Sequence, residues 1–201
     1  MKINASDNTS NKILEASVLL FAKNGFEAVS IRDIAAEAQV SFSLIRHHHG
    51  KKEHLILACH RYALAKLEEL YSDIDVNSVR SEKRVLLDYI MTSHQSLFGK
   101  RSVLLLYLSR MFTKDDDIAN EAFDRYFNIL AKFIDRVVGT GLINQDLNQT
   151  WLIFIVMFNQ LGPAFLSVQI NRFIGQDVYD ISVIKERSDT FLHVLKKGVY
   201  K

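Results

Sequence analysis

Cysteine, proline and glycine are scarce in this chain: of 201 residues one is cysteine, one is proline and eight are glycine. A lone thiol, Cys59, cannot close an internal disulfide and rules out any multi-cysteine zinc or iron–sulfur site, so a reducing cytoplasm is the expected compartment. So few helix breakers disfavour a sheet protein built on tight turns and favour an all-α chain. No uninterrupted apolar run of about 18 residues occurs, and the polar stretch Met1 to Asn11 lacks the charged-then-apolar layout of a secretory signal. No membrane partner is therefore expected. Charge of one sign is missing too: 25 basic against 23 acidic side chains leave a formal net charge of +2, which names no partner. The sequence also lacks a nucleophile elbow, an H-E-x-x-H pair, a phosphate loop and a dinucleotide fingerprint. Cys59 and His60 are helix neighbours that diverge in direction, and Cys59 belongs to an apolar stripe, so they read as packing rather than as a dyad. Neither an enzyme nor a bound cofactor is expected.

What is present is helical periodicity. From Lys12 to Ala22, Ile13, Leu14, Val18, Leu20 and Phe21 recur at helix spacing, and Gly25 follows as a left-handed stop with Phe26 folding back behind it. Ser30 with Asp33 three residues on resembles a capping box, opening a short helix whose stripe is Ile31, Ile34, Ala35 and Ala38. Gln39 and Val40 make a tight break, and Ser41 is a second N-cap ahead of Phe42 to His49. Lys51 to Tyr71 then reads as one long amphipathic helix, with Leu55, Ile56, Ala58, Cys59, Tyr62, Ala63, Leu67 and Leu70 on its buried side. Further helices are expected at 82–98, 101–112, 117–138, 149–173 and 182–199. The acids Asp115 to Asp117 suit a helix N-terminus.

Two helices of about two turns each, separated by a tight break and each opened by a serine, have the layout of a helix-turn-helix, whose second helix enters the DNA major groove. The segment from Ile13 to Ala58 resembles the DNA-binding head of the tetracycline-repressor (TetR/AcrR) family. The resemblance is carried by Ala22 to Gly25 followed by Phe26, by Ser30-Ile31-Arg32-Asp33-Ile34-Ala35, by Val40-Ser41, and by Gly50-x-Lys52-Glu53-x-Leu55, in that order. Beyond about Leu67 only length and helical pattern agree. The resemblance implies residues 7–67 as the DNA-binding domain and 68–201 as an all-helical ligand-binding and dimerisation body, the long fourth helix joining the two. It implies a homodimeric repressor on double-stranded DNA, released from a near-palindromic operator by a small-molecule effector. A ligand-responsive activator and a protein-binding adaptor that reads no DNA are the alternatives.

The expected DNA-contacting residues are Ser30, Arg32, Ser41, Phe42, Ser43, Leu44, Arg46, His47, His48 and Lys52. Serines at helix N-termini suit phosphates, Arg46 can pair with guanine or bind a phosphate, Ser43 can bond to several bases, and Phe42 or Leu44 can pack on a thymine methyl. Lys52 suits a phosphate, and Ile45 should turn inward against Ile34 and Phe21. Where the family often has tyrosines this chain has Arg46 and His47, and where it has a packed phenylalanine this chain has His49, which must find a partner or lose a hydrogen bond. His47, His48 and His49, with His54 and His60 nearby, raise a metal reading, but adjacent helical side chains point about 100° apart and cannot all chelate one ion, so no metal is expected.

The resemblance implies dimerisation through the last two long helices of the body, which here are the helix around Trp151 to Gln169 and that around Val183 to Lys197. The first is apolar around much of its circumference and so should be buried on most sides; Asn159, Gln160 and Gly162-Pro163 interrupt it, and Pro163 should kink it. Tyr107, Met111, Phe123, Tyr126, Phe127 and Phe158, with Phe98, Phe112 and Phe133, are candidates to line an apolar or aromatic effector cavity, although residues at such spacing also serve as plain core. Asp88, His94, Arg110, Arg125 and Asn159 are conceivable polar selectors, with surface or structural roles as the alternative.

Overall fold

The computed structural model describes residues 5–76, 101–112, 116–141 and 146–177, with single or paired positions between 180 and 193. The expected helices at 82–98 and 182–199, together with Asp88, His94 and Phe98, lie wholly or mostly outside the described residues. Seven helices are described: α1 (Ala5–Asn24), α2 (Ile31–Ala38), α3 (Phe42–His49), α4 (Lys52–Ser72), α5 (Arg101–Met111), α6 (Asp117–Gly139) and α7 (Gln149–Ile174). There is no strand among the described residues, and the fold is all-helical. From α2 onward the bounds fall within a residue of those that periodicity gives. α1 runs further at both ends than expected, because its polar first turns continue the backbone ladder without an apolar stripe to announce them.

Short polar side chains start the helices. Asp116 accepts from the Ala119 amide at 2.8 Å, and Asn148 accepts from the Trp151 amide at 3.2 Å, each satisfying a donor that the first turn leaves unpaired. Gly25 ends α1 at φ +84°, a left-handed conformation that a side chain disfavours, and it turns Phe26 back onto Phe21 with ring centroids 5.3 Å apart.

The core is one continuous cluster running from Ile13 on α1 to Leu161 on α7. α4 lies at its centre, packed by α1, α3, α5 and α6, and α7 closes the far side on α5 and α6. The buried residues of α4 are Leu55, Cys59, His60, Ala63, Leu64, Leu67 and Tyr71, whereas Ile56, Ala58, Tyr62 and Leu70 are only half-buried. The stripe is thus rotated from the expected one and takes in His60, since the neighbours decide which side is covered. The most extensive helix pairing joins α5 to α1, so the first helix of the head lies directly along a helix of the body. Glu68 of α4 meets Arg125 and Lys132 of α6 at 3.5 Å each. These pairs are well exposed and contribute little stability. Arg125, a candidate selector, is therefore held in a surface ion pair.

α7 departs most from expectation. Leu152, Ile153, Val156, Met157 and Leu161 are buried, but Trp151 is 66% exposed, Phe158 63% and Phe173 91%. The helix is covered on one side only, not on most sides. Pro163 remains in helical conformation; the interruption falls at Leu166, with φ −114° and ψ 15°. Asn159 is half-buried, and its Oδ1 has no hydrogen-bond partner among the described residues.

Cys59 is sealed between α4 and α1. Burial pushes its thiol up to about 12, with a hydrogen bond to Ser17 acting weakly the other way. The native protein is expected to react with a maleimide at pH 8 at least about a hundredfold more slowly than the denatured chain, because little thiolate forms and access is blocked. Stopped-flow thiol titration with and without denaturant measures this.

Candidate DNA-binding site

The head is α1 to α3 with the start of α4. Ser30 opens α2 with a complete capping box: its Oγ accepts from the Asp33 amide at 3.2 Å, and its own amide donates to Asp33 Oδ2 at 2.8 Å. The Ser30 hydroxyl also donates to that carboxylate at 2.7 Å, and these hydrogen bonds hold the Asp33 carboxyl below its ordinary value. α2 ends in a Schellman arrangement. The Val40 amide donates to Ala35 O at 3.0 Å, the Gln39 amide to Ala36 O at 3.2 Å, and Gln39 sits in the left-handed region at φ +54°. The three-residue connection between α2 and α3 is therefore a hydrogen-bonded turn.

Ser41 starts α3 by accepting from the Leu44 amide at 3.2 Å, and its hydroxyl lies 2.9 Å from that of Ser43. Ile45 is fully buried in the same cluster as Phe21 and Ile34, which anchors the helix and directs its other faces outward. Phe42, Ser43, Arg46 and His47 are exposed, as are Ser30, Arg32 and Ser41; Leu44, His48 and Lys52 are half-buried. Phe42 is 44% exposed, costly for an aromatic ring in water unless something covers it. The ten expected DNA-contacting residues are thus all exposed or half-buried and lie at the starts of α2 and α4 and along α3.

Gly50 links α3 to α4 at φ +71° and ψ −124°, a region open essentially to glycine, and an added Cβ would sit 3.1 Å from His54 Nδ1. α4 then begins at Lys52 with Lys51 as an N-cap that makes no side-chain hydrogen bond, so two basic residues stand in sequence at the positive end of a long helix whose first amides have no side-chain cap. Only Glu53 opposes them in that turn. An anion such as a phosphate would relieve this concentration of donors and charge.

His49 finds a partner in α1: its Nε2 lies 3.3 Å from Ser10 Oγ, tying the end of the recognition helix to the first helix of the head. Burial, then the neighbouring His48, lowers its pKa. Among the described residues no three His, Cys, Asp or Glu side chains are placed to hold a metal ion. Nor is any described helix long and apolar enough to cross a membrane.

Of the expected cavity residues, Tyr107, Met111 and Tyr126 are buried, while Phe123 and Phe127 are half-buried against the core. Phe112 bridges Phe123 and Tyr126 with ring centroids 5.4 and 6.0 Å away. Phe158 is exposed and stacks on Phe154, which in turn packs against Phe127 with ring centroids 5.4 Å apart. A groove of about 400 Å³ opens elsewhere, between α1, α4 and α5, with Val18, Leu19, Leu70 and Leu104 in its walls and Glu15 and Tyr62 beside them. None of the six expected effector contacts lines it.

Sequence reasoning missed His60, whose Nδ1 lies 2.5 Å from the Tyr107 hydroxyl. The signal was its spacing four residues from both Ile56 and Leu64. It also missed Ser10, for which no apolar pattern could speak, and the hydrogen bonds of Arg110 to the end of α1.

Residues 13–59 match the family described as bacterial regulatory proteins, tetR family. Over 93% of its length the chain is 24% identical to YerO, an HTH-type transcriptional regulator of Bacillus subtilis, the match spanning 65% of that protein, just under two thirds of it. It is 26% identical to the transcriptional repressor KstR2 of Rhodococcus jostii, over 67% of each chain. A transcriptional regulator from Saccharomonospora viridis, solved in complex with choline, shares the fold at a TM-score of 0.65 and 17% identity, covering 96% of this chain and 98% of that one.

Asp33 allows a test of the cap. A carboxyl whose folded pKa is depressed stabilises above its ordinary value of 3.8 and loses that contribution as pH falls through the folded value. Asp33→Asn is thus expected to lower the urea midpoint at pH 7 and to leave it nearly unchanged well below pH 3.8.

Proposed function

The chain belongs to the TetR family of bacterial regulatory proteins, a family of regulators rather than enzymes, and from that premise we propose that it represses transcription as a homodimer released from a near-palindromic operator by a small molecule. The observation that carries the reading is the head: two capped helices locked by a Schellman turn, with Arg46, Ser43 and Phe42 outward on the second and uncapped amides beside Lys52 on the next. That arrangement presents base-reading groups between phosphate-binding ones, which is what major-groove recognition requires. Ser30, Arg32, Ser41, Leu44, His47 and His48 complete the proposed contacts.

The dimer reading rests on α7. Trp151, Ile155, Phe158 and Phe165 form an exposed apolar seam, with Gly162 filling the step between the last two. Their spacing alternates four and three residues, the repeat of a helix that packs along another. Two heads held by such a dimer would meet half-sites about one helical turn, or a multiple, apart. The working division places DNA binding in 7–67 and dimerisation and effector binding in 68–201. The effector is proposed to be apolar or aromatic and to bind among Tyr107, Met111, Phe123, Tyr126 and Phe127; the choline held by the similar regulator supports small-molecule control in general. It would act by favouring one separation of the heads, to the extent of its differential affinity for the two states.

Selection from random duplexes in moderate salt tests the function. A near-palindromic site is expected to emerge, with binding that weakens steeply as salt rises. Arg46→Ala should weaken binding about tenfold to a hundredfold and relax preference at one base pair of each half-site. Lys52→Ala should lower affinity on all sequences and flatten the salt slope. A folded dimer that leaves the pool random, or captures protein in a salt-insensitive way, would favour the adaptor. For the dimer, Trp151→Glu combined with Phe158→Glu is expected to convert the protein to monomers in sedimentation experiments while its helical content is kept.

A further inference from the structure

The last turn of α5 holds the end of α1. A helix leaves its final carbonyls without intrahelical donors and with the negative end of its dipole exposed. Here Arg110 supplies both the donors and the charge: Nε donates to Ala22 O at 2.5 Å and Nη2 to Lys23 O at 3.0 Å. One turn earlier on the same helix, Tyr107 packs edge-on to Phe26, 5.5 Å between centroids, and meets His60 of α4. Phe26 lies just past Gly25, in the connection leading from α1 to α2. α5 therefore grips the head at the point where α1 gives way to the helix-turn-helix, in addition to the covalent path through α4.

Arg136 of α6 does the same for the far end of α4, donating to Tyr71 O at 2.9 Å and also to Ile74 O. The two ends fixed in this way are that of the first head helix and that of the helix joining head to body. A planar guanidinium with fixed donor directions can define orientation, which a flexible ammonium cannot. Burial between α1 and α5 is itself non-directional, so the two directed hydrogen bonds of Arg110 add a constraint on the end of α1 that apolar contact does not supply.

We infer that Arg110 is a head-positioning residue: by capping α1 from the body it sets where the recognition helix stands, and a body state that moves α5 by about the length of a hydrogen bond, roughly 3 Å, would release the head. The residue touches no DNA. Its effect should appear in the placement of the heads and not in the contact each head makes. The consequence for operator choice rests on the DNA-binding reading above, but head placement itself can be measured without DNA.

The experiment uses the full chain with spin labels introduced through Glu37→Cys on α2 and Asp135→Cys on α6, both exposed positions, diluted with unlabelled protein. Native Cys59 is buried and does not compete for the label. The otherwise unaltered chain should give one narrow label-to-label distance. Arg110→Met, which keeps the aliphatic stem and loses the donors, is expected to broaden or shift that distance with helical content unchanged; Arg110→Lys should fall between. On DNA, Arg110→Met should lose about tenfold in affinity for the two-half-site duplex selected by the unaltered chain, keep its affinity for a single half-site, and select a wider range of half-site spacings. A distance distribution for Arg110→Met that matches the unaltered chain would overturn the inference. If the methionine variant does not fold, the lysine variant decides by the same measure. If the unaltered chain selects no duplex, the DNA-binding reading fails while the distances still judge Arg110.

Discussion

Everything described in this molecule leans on one buried stripe. Leu55, Cys59, Ala63, Leu67 and Tyr71 follow one another along α4 at steps of four residues, and the helices of both head and body cover them. Each large side chain removed from water there contributes roughly 1.5–3 kcal/mol, and the gain can be realised only if α1, α3, α5 and α6 meet on the same rod. Head and body are consequently not beads on a string. The helix that starts in the head, at Lys52, ends packed against α6 of the body.

Polar groups refine what burial begins. Burial itself is non-directional, and directed contacts are added by hydrogen bonds at helix ends: Ser30 with Asp33, Ser41 with the Leu44 amide, Ser10 with His49, and Arg110 and Arg136 on the terminal carbonyls of α1 and α4. Each fixes one end of a helix in a set direction. The buried His60 and Tyr107 belong to the same class, since each satisfies a polar atom that the core would otherwise leave stranded.

The uncovered side of α7 is the counterpart of this economy. Trp151, Phe158 and Phe173 face solvent in the single chain, although rings of that size are usually covered. A dimer would complete the core by adding a second copy of the seam. Phe158, one of the expected cavity residues, is 63% exposed in the single chain and stacks on Phe154.

Much was legible before any coordinates. Serine caps, the Gln39 break and the apolar spacing of α2 and α3 are local rules, governed by residues within a turn of one another, and the structure keeps every one of them. The head surface was legible for the same reason: once Ile45 points inward, helix geometry alone sends Ser43, Arg46 and His47 outward. What sequence could not decide depends on contacts distant in the chain. Which flank of α4 is buried, which side of α7 stays bare, that His49 meets Ser10, and that Arg110 reaches back to Ala22 are set by neighbouring helices, whose approach has no local signature. Short-range hydrogen-bonding and periodicity therefore determined the described helices and which side chains of α3 face outward. Only the packing of helices far apart in sequence decided which side chains became core, seam or clasp, because burial is a property of the partner as much as of the residue.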